Sequence, residues 1–154
     1  MEKTSKCIKT LAELYKYVPC VALESKGRFK YVQIYVSLKS SDSKESICFI
    51  RGSPLPYHAD VFEAFQDEVG DNKLLDDLLY QPSEEKAGVK IRDLLVFDCP
   101  GGGRIEHDST EKKIFVYGYS QGFGRADHAT STKLIKEAFS GYPSENITWS
   151  NDGY

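Results

Sequence analysis

The amino-acid sequence predicts an α/β fold: a single domain in which a mixed β-sheet is flanked by α-helices. Three observations carry that expectation. Residues 29–38, FKYVQIYVSL, alternate with period 2. Residues 58–69 and 131–139 instead repeat apolar positions at helical spacing. The two patterns interleave along the chain, as they do when strands and helices pack in layers. At 154 residues the chain suits one domain burying about 70% of its unfolded surface, so neither disulfides nor a metal is needed to hold it folded.

Taken in order, residues 8–18 place Ile8, Leu11, Ala12, Tyr15 and Val18 on one helical face, and Pro19 ends the run. A peripheral helix is therefore expected within an N-terminal extension over residues 1–26. In the first strand Phe29, Tyr31, Gln33, Tyr35 and Ser37 share one side, and Lys30, Val32, Ile34, Val36 and Leu38 share the other. The polar turn SSDSKES, residues 40–46, leads to ICFIRG, the expected hairpin partner. Pro54 and Pro56 flank the entry to a helix whose broad apolar face holds His58, Ala59, Val61, Phe62, Ala64, Phe65 and Val69, with Gly70 at its end.

The acidic residues 71–85 read as a loop with a short helix at residues 74–79. Residues 89–97, VKIRDLLVF, are too brief an apolar run to separate strand from helix. Gly101, Gly102 and Gly103 read as a turn leading to Arg104, Ile105 and His107, and EKKIFVYGYS as a strand with Ile114, Val116 and Gly118 facing one way. Ser131, Leu134, Ile135, Ala138 and Phe139 mark a last helix stopped by Tyr142 and Pro143. Residues 147–149 supply a final short strand.

Composition excludes several classes of protein. A net charge of −3 argues against nucleic acid, whose binders gather Lys and Arg on one face. Cys7, Cys20, Cys48 and Cys99 are scattered without a C-x-x-C, which fits reduced thiols in a cytosolic protein rather than a zinc site or a disulfide framework. No span reaches the roughly 18 apolar residues of a membrane helix, so a cytoplasmic or nuclear protein is expected, cytoplasmic being the preferred reading.

The stretch VYGYSQGFGRADHATSTKLIKEAF, residues 116–139, combines a strand end, glycines and a helix start. Those features suit an anion cradle, because the first N–H groups of a helix lack internal partners. The spacing Gly118-x-x-x-Gly122-x-Gly124 is neither the dinucleotide nor the Walker pattern, and a plain structural turn remains the competing reading. His58, His107 and His128 are candidates for proton transfer near neutral pH. They lack H-E-x-x-H or H-x-H spacing, so a metal centre would need all three to converge in the fold. Lys30 begins an aliphatic strand face and Arg104 follows the glycine triplet; each is either a phosphoryl contact or a solvated charge.

Four ordered stretches together resemble one family. FKYVQIYV, YHADVFEAF, CPGGGRIEH and VYGYSQGFGRADHATSTKLIK, the last continuing to ITWSNDGY, are similar to the protein phosphohistidine phosphatases of the janus/ocnus group. That resemblance implies metal-independent hydrolysis of phosphohistidine, without a cofactor, in histidine-phosphorylated proteins. It also implies a monomer. His58 corresponds to the catalytic proton acceptor. Lys30, Ser120, Gln121 and Gly122 correspond to the phosphoryl-binding set, and Arg104 to an arginine near the anion. A catalytically silent phosphate-binding adaptor using the same loop is the alternative. On this reading residues 27–154 form the family domain, with an inserted segment around residues 70–98.

Overall fold

Residues 29–38, expected as the first strand, lie within a longer one at the middle of a single sheet. The computed structural model describes residues 11–39, 45–75 and 91–152. Its strands are β1 (Val21–Leu23), β2 (Lys26–Leu38), β3 (Ile47–Ser53), β4 (Leu95–Asp108), β5 (Lys113–Tyr117) and β6 (Ile147–Trp149). The helices are α1 (His58–Gly70), α2 (Ile91–Leu94) and α3 (His128–Ala138). The strand order is β1-β3-β2-β4-β5-β6. β1 lies parallel to β3 and β6 parallel to β5, whereas the β3-β2-β4-β5 ladder is antiparallel. The sheet is therefore mixed, as expected.

Both faces of β2 are buried, each against its own helix. Val32, Ile34 and Val36 pack with Val61, Phe65 and Val69 of α1. Phe29 and Tyr31 pack with Ile105, Ile114, Val116 and Ile135 of α3 on the opposite side. The alternation read from the sequence is thus the division between two cores, and a one-residue slip would exchange them. The fully buried Phe49 and Phe65 contribute about 1.5–3 kcal/mol each by leaving water.

Several expectations need correction. Residues 11–16 form a 3₁₀ helix, Leu11–Lys16, and its buried residues are Leu11 and Leu14, three apart, in place of Ala12 and Tyr15. Val18 joins them in the α1-side core. The Tyr15 hydroxyl donates to the Cys48 carbonyl at 2.8 Å. Residues 89–97 contain both alternatives: α2 runs directly into β4. The last helix ends at Ala138, capped at Phe139, before Tyr142 and Pro143 are reached. Gly118, at φ 78°, ends β5 in the left-handed region that glycine tolerates best. Ile8, the turn at residues 40–44 and residues 76–79 of the helix expected at 74–79 lie outside the described residues, while residues 73–75 are helical.

The largest correction concerns Gly101, Gly102 and Gly103, which lie inside β4 and form no turn. They are glycines because other chain passes too close for a Cβ. One on Gly101 would stand 2.6 Å from the Arg125 and Ala126 backbone, and one on Gly102 would stand 2.5 Å from the Tyr31 carbonyl oxygen. At Gly103 the Tyr117 carbonyl oxygen would be 2.4 Å away. Just before them, Cys99 and Pro100 fall at a register shift between Gln33 and Tyr35 of β2, a bulge where a proline without an N–H costs the ladder little.

Candidate active site

The glycine stretch of β4 lets three segments converge on one end of the sheet. The Gly102 N–H donates to the Gly124 carbonyl and the Ala126 N–H to the Gly102 carbonyl, both at 3.0 Å. The loop after β5 is thereby laid against β4 like a short additional strand. Between this loop, the N-terminus of α1 and β2 lies a cavity of about 540 Å³. Lys30, His58, Ser120, Gln121 and Gly122 line it, together with Pro56, Tyr57, Ala59 and Phe123. A larger depression of about 740 Å³ contains Lys26, Arg28, Glu106 and Asp108. There Lys26 and Asp108 approach to 4.0 Å and Arg28 and Glu106 to 3.3 Å, so those charges already face opposite charges.

His58 is the first residue of α1 and is buried. Its Nε2 lies 2.9 Å from the Gly103 carbonyl oxygen. A carbonyl only accepts, so Nε2 carries the hydrogen and, in the neutral ring, Nδ1 carries the lone pair. The Cδ2 and Nε2 edge rests on Gly102, which leaves the Nδ1 edge away from the sheet. Burial is the largest influence on this imidazole and pushes its pKa below the ordinary value. The Gly103 hydrogen bond opposes that shift, while the nearby Lys30 and Arg104 charges add to it. His58 is therefore neutral near pH 7, with a basic nitrogen that has no partner among the described residues.

Lys30 and Arg104 stand directly opposite each other on β2 and β4, so both side chains lie on the α1 face of the sheet. Lys30 lines the cavity; Arg104 does not, and is felt at His58 through its charge.

The loop departs from the cradle expected of a helix N-terminus. The start of α3 is occupied by Asp127, whose carboxylate accepts from the Thr130 N–H at 3.2 Å and the Thr130 hydroxyl at 2.8 Å. Those hydrogen bonds lower its pKa, and a carboxylate there competes with any added anion. The helix start bordering the cavity belongs to α1, where the His58 and Ala59 N–H groups lack intrahelical partners. The donors of the loop are its own. Ser120 and Gly124 pair through both backbone N–H groups, at 3.0 and 2.8 Å. Ser120 Oγ accepts from the Phe123 N–H at 3.0 Å, leaving its own proton to donate. Among the described residues, no acceptor pairs with the N–H groups of Gln121 and Gly122. A Cβ at Gly122 would meet nothing within 4 Å, so its contribution is the amide and not its small size.

The remaining histidines lie elsewhere. His107 donates from Nδ1 to the Glu24 carbonyl at 2.7 Å, and its Nε2 meets the Tyr142 hydroxyl at 2.8 Å. His128, on the α3 face, donates from Nε2 to the Gly118 carbonyl at 2.8 Å, and its Nδ1 meets the Tyr31 hydroxyl at 2.7 Å. Among the described residues no three His, Cys, Asp or Glu side chains cluster as metal ligands. Sequence reasoning missed the aromatic lining, Tyr57 and Phe123, and missed Gly103 as the group that sets the His58 tautomer. Asp127, a preferred N-cap residue type, was the available signal against an anion at α3.

Fold and cavity together define an α/β domain with a loop of backbone N–H donors, a lysine and a neutral histidine at one sheet end. The chain belongs to the Janus/Ocnus family, whose model matches residues 15–143. It is 38% identical over 141 residues to the 14 kDa phosphohistidine phosphatase of Sus scrofa, covering 89% of this chain and 93% of the relative. The same identity holds over 144 residues for the Homo sapiens protein of that name, covering 89% and 94%. To the sex-regulated protein janus-A of Drosophila melanogaster it is 38% identical over 138 residues, covering 89% and 82%.

Proposed function

We propose that this chain is a phosphohistidine phosphatase, hydrolysing the phosphoramidate bond of phosphohistidine in proteins or peptides without a metal. One observation carries the mechanism: the hydrogen bond from His58 Nε2 to Gly103, which leaves Nδ1 as a base beside Lys30 and the Ser120–Gly122 loop. Phosphoryl transfer depends on neutralising the equatorial oxygens and aligning the nucleophile. Lys30, the Ser120 hydroxyl and the Gln121 and Gly122 amides hold those oxygens, and Arg104 adds positive potential behind them. Water then forms its bond to phosphorus opposite the P–N bond while His58 Nδ1 takes its proton. The P–N electron pair leaves on the substrate imidazole nitrogen, which takes up the proton held by His58, directly or through solvent, giving phosphate and histidine and returning His58 to its neutral form.

The two relatives named 14 kDa phosphohistidine phosphatase support this substrate class. The reading includes a monomer acting in the cytoplasm on histidine-phosphorylated proteins; among the described residues no helix is long and apolar enough to cross a membrane. The test is phosphate release from a phosphohistidine peptide in excess EDTA. Wild type is expected to turn over, and His58→Ala, with its melting temperature retained, to lose about 10²–10⁴-fold. Peptide binding without release would make the chain an adaptor. Release abolished by EDTA would transfer the chemistry to a metal.

A further inference from the structure

We propose that Tyr57, with Pro56 and Phe123 beside it, forms a leaving-group subsite for the flat imidazole ring of the substrate phosphohistidine. This rests on the phosphatase reading. The cavity is divided by chemistry: Lys30, His58, Ser120 and the Gln121 and Gly122 amides supply its polar groups, and Pro56, Tyr57, Ala59 and Phe123 its apolar ones. Its 540 Å³ lies in the range that holds drug-sized ligands, more room than a phosphoryl group alone requires. A group both apolar and attached to phosphorus fits the rest, and imidazole meets both conditions.

Tyr57 is otherwise unexplained by the fold. It is the N-cap residue of α1, a place that favours Ser, Thr, Asp or Asn. Its capping hydrogen bond uses only its backbone, the N–H donating to Asp60 Oδ2 at 3.1 Å. The residue is 69% exposed, so folding gains little from its side chain. Phe123, by contrast, is held in place by an edge contact with Phe62 of α1, at 5.6 Å and 86°. One aromatic ring packed against α1 and one exposed aromatic ring line the same cavity and suit a flat ring, since aromatic pairs favour offset and edge-to-face geometry.

The test compares wild type, Tyr57→Phe and Tyr57→Ala on three substrates: phosphoramidate, which has no ring; free phosphohistidine, which has the ring alone; and a phosphohistidine peptide. Tyr57→Ala is expected to lose about threefold to tenfold in kcat/KM, chiefly through KM, and equally on the peptide and free phosphohistidine. The loss on phosphoramidate should be clearly smaller, and Tyr57→Phe should stay near wild type. Equal losses on all three substrates, or no loss, would overturn the subsite. A loss confined to the peptide would also overturn it, assigning Tyr57 to a flanking residue. Wild type inert on all three would instead overturn the phosphatase reading itself.

Discussion

His58 and His128 begin two helices on opposite faces of one sheet, and they are built almost alike. Each donates from Nε2 to a main-chain carbonyl, Gly103 for one and Gly118 for the other. Each has its pKa lowered first of all by burial. They differ at the other nitrogen. His128 Nδ1 is occupied by the Tyr31 hydroxyl, which also lies 3.0 Å from Ser131 Oγ; that oxygen in turn receives the Gln33 amide at 2.9 Å. His58 Nδ1 has no partner among the described residues and belongs to a cavity-lining side chain. Tautomer and burial are shared, so what separates a structural histidine from a candidate base is whether the second nitrogen is already spent.

Gly103 joins the two sides, and replacing it is expected to break both. Its carbonyl fixes the His58 tautomer, while a Cβ there would stand 2.7 Å from His128 Cε1 and 2.4 Å from the Tyr117 oxygen. A backbone oxygen at that distance cannot step aside without opening β4 from β5. Gly103→Ala should therefore destabilise the fold by about 1–3 kcal/mol or more, lowering the melting temperature by several degrees, and should reduce phosphatase turnover in the fraction that remains folded. Wild-type melting with wild-type turnover would show that the close approach is slack.

Tyr31→Phe sharpens the contrast at smaller scale, because it removes only the group that occupies His128 Nδ1. The buried nitrogen is left unsatisfied, at a cost of about 1–3 kcal/mol, measurable as a shift of the urea midpoint. Turnover of the folded enzyme should change far less than in His58→Ala. A loss of turnover comparable to His58→Ala would mean that the polar chain behind the loop takes part in the chemistry.

How much of this was legible in the sequence follows from the range of each interaction. The faces of β2 and the cores of α1 and α3 were readable because period 2 and period 3.6 are local properties of the chain. The 3₁₀ helix Leu11–Lys16 was not, since over one or two turns apolar spacings of three and of 3.6 coincide. Gly101–103 was misread because a glycine run locally resembles a turn, whereas its cause lies in the Tyr31, Tyr117 and Arg125 backbone, all distant in sequence. Lys30 and His58 were associated only through family resemblance. Their shared cavity and the His58 tautomer depend on β-sheet register and on one carbonyl of β4.

The finest separation of the two histidines is by pH. Both folded pKa values lie below the ordinary value of 6.5, so around and below pH 6.5 the unfolded chain binds more protons than the folded one and stability falls as pH falls. That loss sets in as the unfolded histidines titrate around pH 6.5 and continues through the lower folded-state values; well above pH 6.5 these two groups contribute no slope. Activity should be governed by His58 alone, because only its Nδ1 must be unprotonated to accept a proton from water. The acid limb of kcat/KM is therefore expected below pH 6.5, and Tyr31→Phe, which alters only the His128 side, should leave its midpoint in place while changing the pH dependence of the urea midpoint. If Tyr31→Phe moves the acid limb itself, the two sides of the sheet are coupled through Gly103 and the division between them fails.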